Sequence, residues 1–252
     1  MKFLVIRKRA LVAASIVAIC LLLLVLFTTP FAVAAQVKTR KTPIYCVKTD
    51  EKKVAISFDA CWGADKTDSI IACLTELDVK ANYFCVSSWV EKYPDKAKLL
   101  VRSGKIEIGT HSVTHPKMSK LSRDKQREEL VSSCEVIEKT VGVKPKLFRP
   151  PYGDYDDKLI ETCAEVGLKA IQWDVDTLDW KGLSAQAIAS RVLERAKEGS
   201  IVLMHNDGEH TVEALPLIVL GLRKKGFEFV WISELIYENG VVDGSGRQLP
   251  TN

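Results

Sequence analysis

Histidines and carboxylates that could bind a metal and transfer protons stand at the ends of apolar, strand-like runs. The run VAISFDACWGAD, residues 54–65, reaches a single acid at Asp59. Another run ends in GTHSVTH with His111 and His115, and a third ends in VLMH with His205. The chain has four histidines. One such histidine is more often a satisfied polar residue than a ligand, but three at strand ends favour a functional site.

Two further strand-like runs end in polar residues. FRPPYG contributes Arg149 and Tyr152. The run WDVDTLDW contributes Asp174, Asp176, Asp179 and Trp180. Carboxylates beside histidines supply the acid and base that hydrolysis of an unreactive bond requires.

The spacing of His111 and His115 is the i, i+4 spacing of many zinc sites. Pro116 follows directly and biases His115 away from helical geometry. We therefore expect the pair on a loop or an irregular turn.

Strand-like and helical patterns alternate along the chain and must position these residues. Strands are predicted at 53–58, 81–86, 106–109, 146–148, 169–173, 200–204 and 228–231. Helices are predicted at 66–78, 90–103, 122–141, 156–166, 184–198 and 211–225. Such alternation indicates an α/β fold with parallel strands, in which function lies where the strands end. Seven strands favour an incomplete barrel. A doubly wound open sheet is the alternative, although no glycine-rich phosphate loop follows the first strand.

Five motifs, in order, resemble those of the polysaccharide deacetylases, the NodB-type carbohydrate esterases of family 4. They are SFD, HSVTH, RPPYG, DTLDW and VLMH, and the resemblance covers about residues 50–237. It implies a distorted (β/α) barrel of about seven parallel strands. It also implies metal-assisted removal of N-acetyl groups from GlcNAc- or MurNAc-type sugars of a cell-wall glycan. SFDACWGADKT and WISELIY are most similar to the sporulation-associated, PdaB-like branch.

The resemblance also implies roles for individual residues. Asp59 matches the general base, His205 the general acid and Asp179 its partner. Arg149 matches the residue that holds the base carboxylate, and the backbone N–H of Tyr152 would help to hold the oxyanion. Trp62 and Trp180 offer apolar faces for a sugar ring, with ordinary core packing as an equal alternative.

His111 and His115 match the family's ligands for a divalent metal, with zinc as the first candidate and cobalt or manganese as others. The family usually has two adjacent acids at the first motif, and the second completes a His-His-Asp site. Ala60 stands in that place here. Asp65 could supply the missing ligand, or water or Cys61 could fill in. Otherwise metal binding is lost, and the protein is a weak enzyme or a glycan-binding relic.

Residues 1–35 predict export. Four basic residues precede an almost uninterrupted apolar run, and FAVAAQ has the small residues of a cleavage site. The run is longer than the roughly 7–15 residues of a cleavable signal and reaches the ~20 that span a bilayer. Signal peptide and membrane anchor are both open. Either would place the remainder at the outer face of the membrane or in the cell wall.

The rest of the chain divides into a polar linker at 36–50, the deacetylase-like domain at 51–238 and a flexible tail at 239–252. The leader's four basic residues account for the net charge of +4. The exported part is therefore neutral and has no basic stripe for nucleic acid. Six of the seven cysteines follow the leader. We expect mostly free, buried thiols, because a domain of this size needs no covalent staples.

Overall fold

The computed structural model describes residues 12–13, 15–21 and 40–251. The chain separates into two compact units, Met1–Thr39 and Arg40–Asn252. In the first unit, residues 15–21 are helical. Most of the predicted leader lies outside the described residues, so its cleavage or retention stays a prediction. Within the part of the chain that is described, no helix is both long and apolar enough to cross a bilayer.

A curled sheet of parallel strands forms the centre of the second unit. The strands of the whole unit are β1 (Cys46–Val47), β2 (Lys53–Ala60), β3 (Ala81–Cys85), β4 (Ile106–Thr110), β5 (Leu147–Phe148), β6 (Lys169–Ala170), β7 (Val175–Asp176), β8 (Ile201–His205), β9 (Glu228–Phe229), β10 (Val241–Val242) and β11 (Arg247–Leu249), of which β1, β10 and β11 form a separate small sheet. Seven of them lie in the order β6-β5-β4-β3-β2-β8-β7 and β9 pairs with the start of β2. All these pairs are parallel. The expected half-barrel of seven parallel strands is confirmed.

Helices cover the outside of this sheet. They are α1 (Thr67–Glu76), α2 (Ser87–Lys92), α3 (Pro94–Arg102), α4 (Arg123–Val141), α5 (Asp157–Glu165), α6 (Ala185–Arg195), α7 (Thr211–Lys224) and α8 (Ile232–Leu235). The helix predicted at 90–103 is two helices, which break at Tyr93 because the residue before a proline disfavours helical geometry. The Ser122 side chain caps α4 by accepting a hydrogen bond from Lys125 N.

The two faces of β2 enter different environments, as the alternation of side chains along a strand requires. Val54, Ile56, Phe58 and Ala60 belong to the large apolar cluster that the outer helices complete. Ala55 packs on the opposite side, in a second cluster inside the half-barrel. Ser57 and Asp59 therefore point inward as well, towards the end of the strand where a site can form.

Three local predictions differ from the structure. The strand β7 was missed, because the dipeptide VD after Asp174 has too little apolar pattern to predict a strand. Residues 44–47 of the expected linker are ordered, and Ile44 and Val47 are buried. The expected flexible tail is wrong for 241–249, because β10 and β11 pair with each other and β11 pairs with β1.

The seven cysteines, all of which lie among the described residues, are free thiols. Four of them are buried, at Cys46, Cys85, Cys134 and Cys163. The sequence expectation of mostly free, buried thiols is therefore met.

Candidate active site

A cavity of about 730 Å³ opens where the central strands end. From the predicted site residues its wall includes Asp59, Trp62, His111, His115, Tyr152, Asp179, Trp180 and His205. These residues come from strand ends and loops between positions 59 and 205, and the parallel sheet brings them to one edge. The volume suits a small-molecule or sugar-sized ligand, since such pockets measure about 300–1,000 Å³.

Asp59 and Arg149 form a buried ion pair at the base of the cavity. Arg149 Nη1 donates to Asp59 Oδ1 over 2.8 Å. The guanidinium is fully buried, and its Nη2 also donates to Ser57 Oγ over 2.8 Å and to the Gln172 carbonyl over 3.1 Å. Burial raises the pKa of the Asp59 carboxyl, but the charge and hydrogen bond of Arg149, together with the neighbouring His111 and His205, hold that pKa below its ordinary value. Asp59 is therefore an ionised carboxylate at neutral pH.

His205 stands directly beside Asp59, since the two are register partners on β8 and β2. His205 Nδ1 donates to Asp179 Oδ1 over 2.8 Å, and the His205 backbone N–H donates to Asp179 Oδ2 over 2.8 Å. Thr211 Oγ1 donates to the same Oδ2 over 2.7 Å. Burial lowers the pKa of His205, but the hydrogen bond and charge of Asp179, with the charges of Asp59 and Asp176, raise that pKa above its ordinary value. Its outer nitrogen, Nε2, remains available to donate a proton.

His111 is oriented by the backbone. Its Nδ1 lies 2.6 Å from the Arg149 carbonyl oxygen. Since a carbonyl can only accept, Nδ1 carries the proton and Nε2 keeps its lone pair. That Nε2 lies 3.6 Å from Asp59 Oδ2. Burial lowers the pKa of His111, so the ring stays neutral as a metal ligand requires.

His115 occupies a strained loop, as Pro116 led us to expect. Its φ is 58° and that of Ser112 is 73°, both in the left-handed region that non-glycine residues rarely adopt. The carboxylate of Glu129 on α4 holds the loop by accepting from Val113 N over 2.7 Å and Thr114 N over 3.1 Å. Such strain persists only where the surroundings impose it, often at functional sites.

The cysteine of the first motif completes a cluster of metal-binding side chains. Ligand atoms of Cys61, His111 and His115 all lie within 4.8 Å of one another. Nδ1 of His115 is buried and has no hydrogen-bond partner. Leaving such a group unpaired costs about 1–3 kcal/mol. This donor set fits a divalent metal.

Asp65 is not part of this cluster. It is exposed and is not among the residues that line the cavity. The interpretation in which Asp65 supplies the third ligand is therefore not supported. Asp65 lies beyond the turn at Gly63, whose carbonyl is fixed by Trp89 Nε1 and Asn206 Nδ2, each over 2.8 Å.

Aromatic side chains form the rim of the cavity. Trp62 is 68% exposed, Tyr152 is 64% exposed and Trp180 is 59% exposed. The core-packing alternative for the two tryptophans is therefore wrong. Tyr152 has a φ of 59°, which turns the chain after Pro151, and its ring centroid lies 4.5 Å from that of His115.

Of the three predicted aspartates at the end of the fifth run, Asp176 and Asp179 line the cavity. Asp174 does not, and it has a structural role instead. It accepts hydrogen bonds from Ser200 Oγ and Ile201 N, each over 2.9 Å.

Comparison with known proteins agrees with this geometry. The polysaccharide deacetylase family model matches residues 47–171. The peptidoglycan-N-acetylglucosamine deacetylase of Bacillus cereus is 33% identical over 190 residues, which cover 74% of this chain and 69% of that enzyme. The chain belongs to the polysaccharide deacetylase family.

The chain is also similar to the uncharacterized protein YlxY of Bacillus subtilis. It is 35% identical over 196 residues, which cover 78% of this chain and 61% of YlxY. The chain thus spans less than two thirds of that relative's length.

Solved structures of this polysaccharide deacetylase family include a pseudoenzyme. Wild-type BA3943 from Bacillus anthracis, described as a CE4 family pseudoenzyme, has a TM-score of 0.75 at 32% identity, covering 83% of this chain and 73% of that one. A BA3943 mutant with restored enzymatic activity has a TM-score of 0.74 at 35% identity, covering 77% of this chain and 70% of the mutant chain.

Several residues that support this deacetylase-family site were missed from the sequence. Ser57 and the Gln172 carbonyl hold Arg149, Thr211 holds Asp179, and Glu129 holds the His115 loop. Only Ser57 had a local signal, because it precedes Asp59 by two and must share its face of the strand. The others lie far from the motifs that they support.

Proposed function

We propose that this chain is an exported de-N-acetylase of N-acetylated cell-wall glycan, of the peptidoglycan type. One observation carries the proposal. A carboxylate with a lowered pKa, Asp59, and an imidazole with a raised pKa, His205, lie side by side in one cavity, each beside a buried partner that shifts its pKa in that direction.

Amide hydrolysis needs both groups. A base must take a proton from the attacking water, and an acid must give one to the nitrogen, because an amide anion does not leave. Asp59 is suited to the first step, since Arg149 occupies Oδ1 and leaves Oδ2 towards the cavity. His205 is suited to the second, since Asp179 binds Nδ1 and leaves Nε2 to protonate the amine.

The aromatic rim of the cavity would bind the sugar. Trp62 and Trp180 present exposed aromatic faces on which a sugar ring can stack. The backbone N–H of Tyr152 would stabilise the oxyanion of the tetrahedral intermediate. A divalent metal at His111 and His115, with zinc as the first candidate and cobalt or manganese as the others, would supply Lewis-acid polarisation of the amide carbonyl.

A second candidate is a glycan-binding protein with little or no catalysis. The observation in its favour is the absence of an acid at Ala60, whose side chain lies in the helix-facing core. The similarity to the BA3943 pseudoenzyme points the same way. Against it stands the retention of Asp59, Asp179 and His205, because a protein that only binds glycan needs neither a base nor an acid.

Acetate release separates these two candidates. The purified full-length chain is incubated with N-acetylated peptidoglycan and zinc, cobalt or manganese, and acetate is measured over time. Catalytic release that depends on Asp59 and His205 supports the deacetylase. A folded protein that sediments with the glycan and releases no acetate with any of the three metals supports the binding protein.

Export and a role in sporulation rest on the sequence. The basic start and apolar run at residues 1–35 support export, and the similarity of SFDACWGADKT to the sporulation-associated branch supports the role. If the run is an anchor, extraction from the source cells will need detergent. Recovery of a soluble form that begins at Ala35 or Gln36 would show cleavage instead.

A further inference from the structure

The metal-binding cluster contains a sulfur atom where the family resemblance predicts a carboxylate. Cys61, His111 and His115 bring their ligand atoms within 4.8 Å of one another. The three residues line the same cavity. Two nitrogen ligands alone make a weak site, since catalytic zinc sites use three protein ligands and keep one position open.

The alternation along β2 explains why the third ligand comes from position 61. Ala60 is fully buried among the apolar side chains under the outer helices and does not line the cavity. Asp59 and Cys61, two residues apart, both reach the cavity. Ala60 itself offers no ligand atom, whereas Cys61 lines the cavity with both histidines.

Both histidines are arranged to bind a metal beside Cys61. His111 is fixed as the tautomer with a free Nε2 by its bond to the Arg149 carbonyl, over 2.6 Å. Such a second hydrogen bond to a ligating histidine is a regular feature of metal sites. His115 has a buried nitrogen without a hydrogen-bond partner, which a bound ion or its coordination would account for.

We infer that Cys61, as a thiolate, is the third protein ligand of a divalent metal held by His111 and His115. The site is then a Cys-His-His centre that selects zinc over manganese. The inference deepens the proposed function, on which it rests for the use of this cavity. When the metal binds, the S–H bond breaks, the electron pair forms the metal–sulfur bond, and the proton passes to solvent.

The donor set decides the metal preference. A thiolate is a soft ligand that favours zinc, whereas carboxylate oxygens suit manganese and magnesium. A Cys-His-His centre should therefore discriminate against manganese more strongly than the family's His-His-Asp site. Replacement of the sulfur by a carboxylate, as in Cys61→Asp, should reduce that discrimination while it keeps three ligands.

Cobalt reports the ligand directly. The full-length chain is freed of metal, loaded with Co²⁺ alone and examined by absorption spectroscopy, because a cobalt–thiolate bond gives an intense near-ultraviolet charge-transfer band. We expect one such band per bound cobalt, lost in Cys61→Ser. The matched control is Cys73→Ser, which changes a half-buried thiol on α1 outside the cavity and should keep the band.

Affinity measurements give a second readout. In Cys61→Ala, zinc affinity should fall by more than about 100-fold, beyond what loss of an outer hydrogen-bonding partner costs. In Cys61→Asp, the ratio of zinc to manganese affinity should fall at least about tenfold, as expected for a change from soft to hard ligand. Circular dichroism of each variant checks that it is folded.

The outcomes for the ligand are independent of acetate release. Bound cobalt without a thiolate band, a band that survives Cys61→Ser in the folded protein, or no cobalt binding at all would each overturn the inference. A cobalt–Cys61 band in a chain that releases no acetate would uphold the inference and refute the deacetylase. Acetate release without the band would do the reverse.

Discussion

Asp59 and His205 are neighbours whose surroundings push them towards opposite protonation states. Arg149 and the nearby histidines lower the pKa of Asp59 despite burial, and Asp179 with the nearby carboxylates raises the pKa of His205 despite burial. Each supporting residue is itself fully buried, so solvent screens these pairs less than it screens pairs at the surface. An acid and a base that coexist at neutral pH are what hydrolysis of an amide requires.

Replacement of the base tests the first half of this pair. In Asp59→Asn, acetate release should fall at least about 100-fold, the scale of a lost general base. The amide keeps an oxygen for Arg149 but no longer accepts a proton from water. Circular dichroism controls for the loss of stability that breaking a buried ion pair causes, about 3–5 kcal/mol. Near-normal turnover in a folded variant would remove Asp59 from the mechanism.

The pH dependence of kcat tests the proposed role of His205. If His205 is the general acid, as proposed, its protonated form is the active one and kcat should decline as pH rises through its raised pKa. Asp179→Asn removes the cause of the raised pKa, so the decline should move to lower pH. The same pair stabilises the folded chain fully below the ordinary histidine pKa of about 6.5, and that contribution is lost as pH rises through the folded value. An unchanged decline in Asp179→Asn would assign the acid to another group.

At the scale of elements, the loop from His111 to Pro116 depends on a helix that contributes nothing else to the cavity. Glu129 of α4 accepts hydrogen bonds from Val113 N, Thr114 N and Thr114 Oγ1. The loop contains two residues in the left-handed region. Its conformation therefore relies on that carboxylate.

Removal of the Glu129 carboxylate should weaken the metal site, although Glu129 does not line the cavity. We expect Glu129→Ala to lower stability by about 1–3 kcal/mol, the cost of unpaired donors, and to weaken zinc binding about tenfold, as outer partners of metal ligands do. The matched control is Glu128→Ala, whose pair with Lys125 is exposed to solvent and should contribute little to stability. Calorimetry and zinc titration measure both effects. Equal behaviour of the two variants would show that the loop holds its shape unaided.

The elements and the residues at their ends could be predicted from the sequence, because apolar runs that stop at Asp59, His111 and His205 are typical of parallel strands with a site at their carboxyl ends. The orientation of the side chains around the end of β2 could not be predicted. Position 60 was expected at the metal site, but Ala60 faces the outer helices and Cys61 faces the cavity. The direction of each side chain depends on where β2 ends, and the sequence does not mark that residue.

At the scale of the whole domain, its first residues, 44–47, and its last strand, β11, lie side by side. Ile44 bridges to Ile171 beyond β6, and Cys46 bridges to Ser200 before β8. Since β6 and β7 are the free edges of the curled sheet, residues 44–47 lie across its open side. The strand β11 then pairs with β1. Segments with the composition of a linker and a tail thus become part of the domain because each supplies the other with backbone partners.

Gln248 is the side chain on which this closure depends most. It is 2% exposed on β11; its Oε1 accepts from Tyr237 N over 2.9 Å, and its Nε2 donates to the Tyr237 carbonyl over 2.8 Å. Gln248→Ala leaves both backbone groups of Tyr237 without these partners and should lower the free energy of unfolding by about 1–3 kcal/mol.

The neighbouring residue provides the control, because Arg247 is exposed on the same strand and Arg247→Ala should cost no more than about 0.5 kcal/mol. Urea denaturation of the two variants measures the difference, and acetate release should be the same in both, since neither residue lines the cavity. Equal stabilities would mean that residues 241–249 are peripheral, as their polar composition first suggested. A clear loss in Gln248→Ala alone would establish that the chain's last residues hold the open side of the half-barrel.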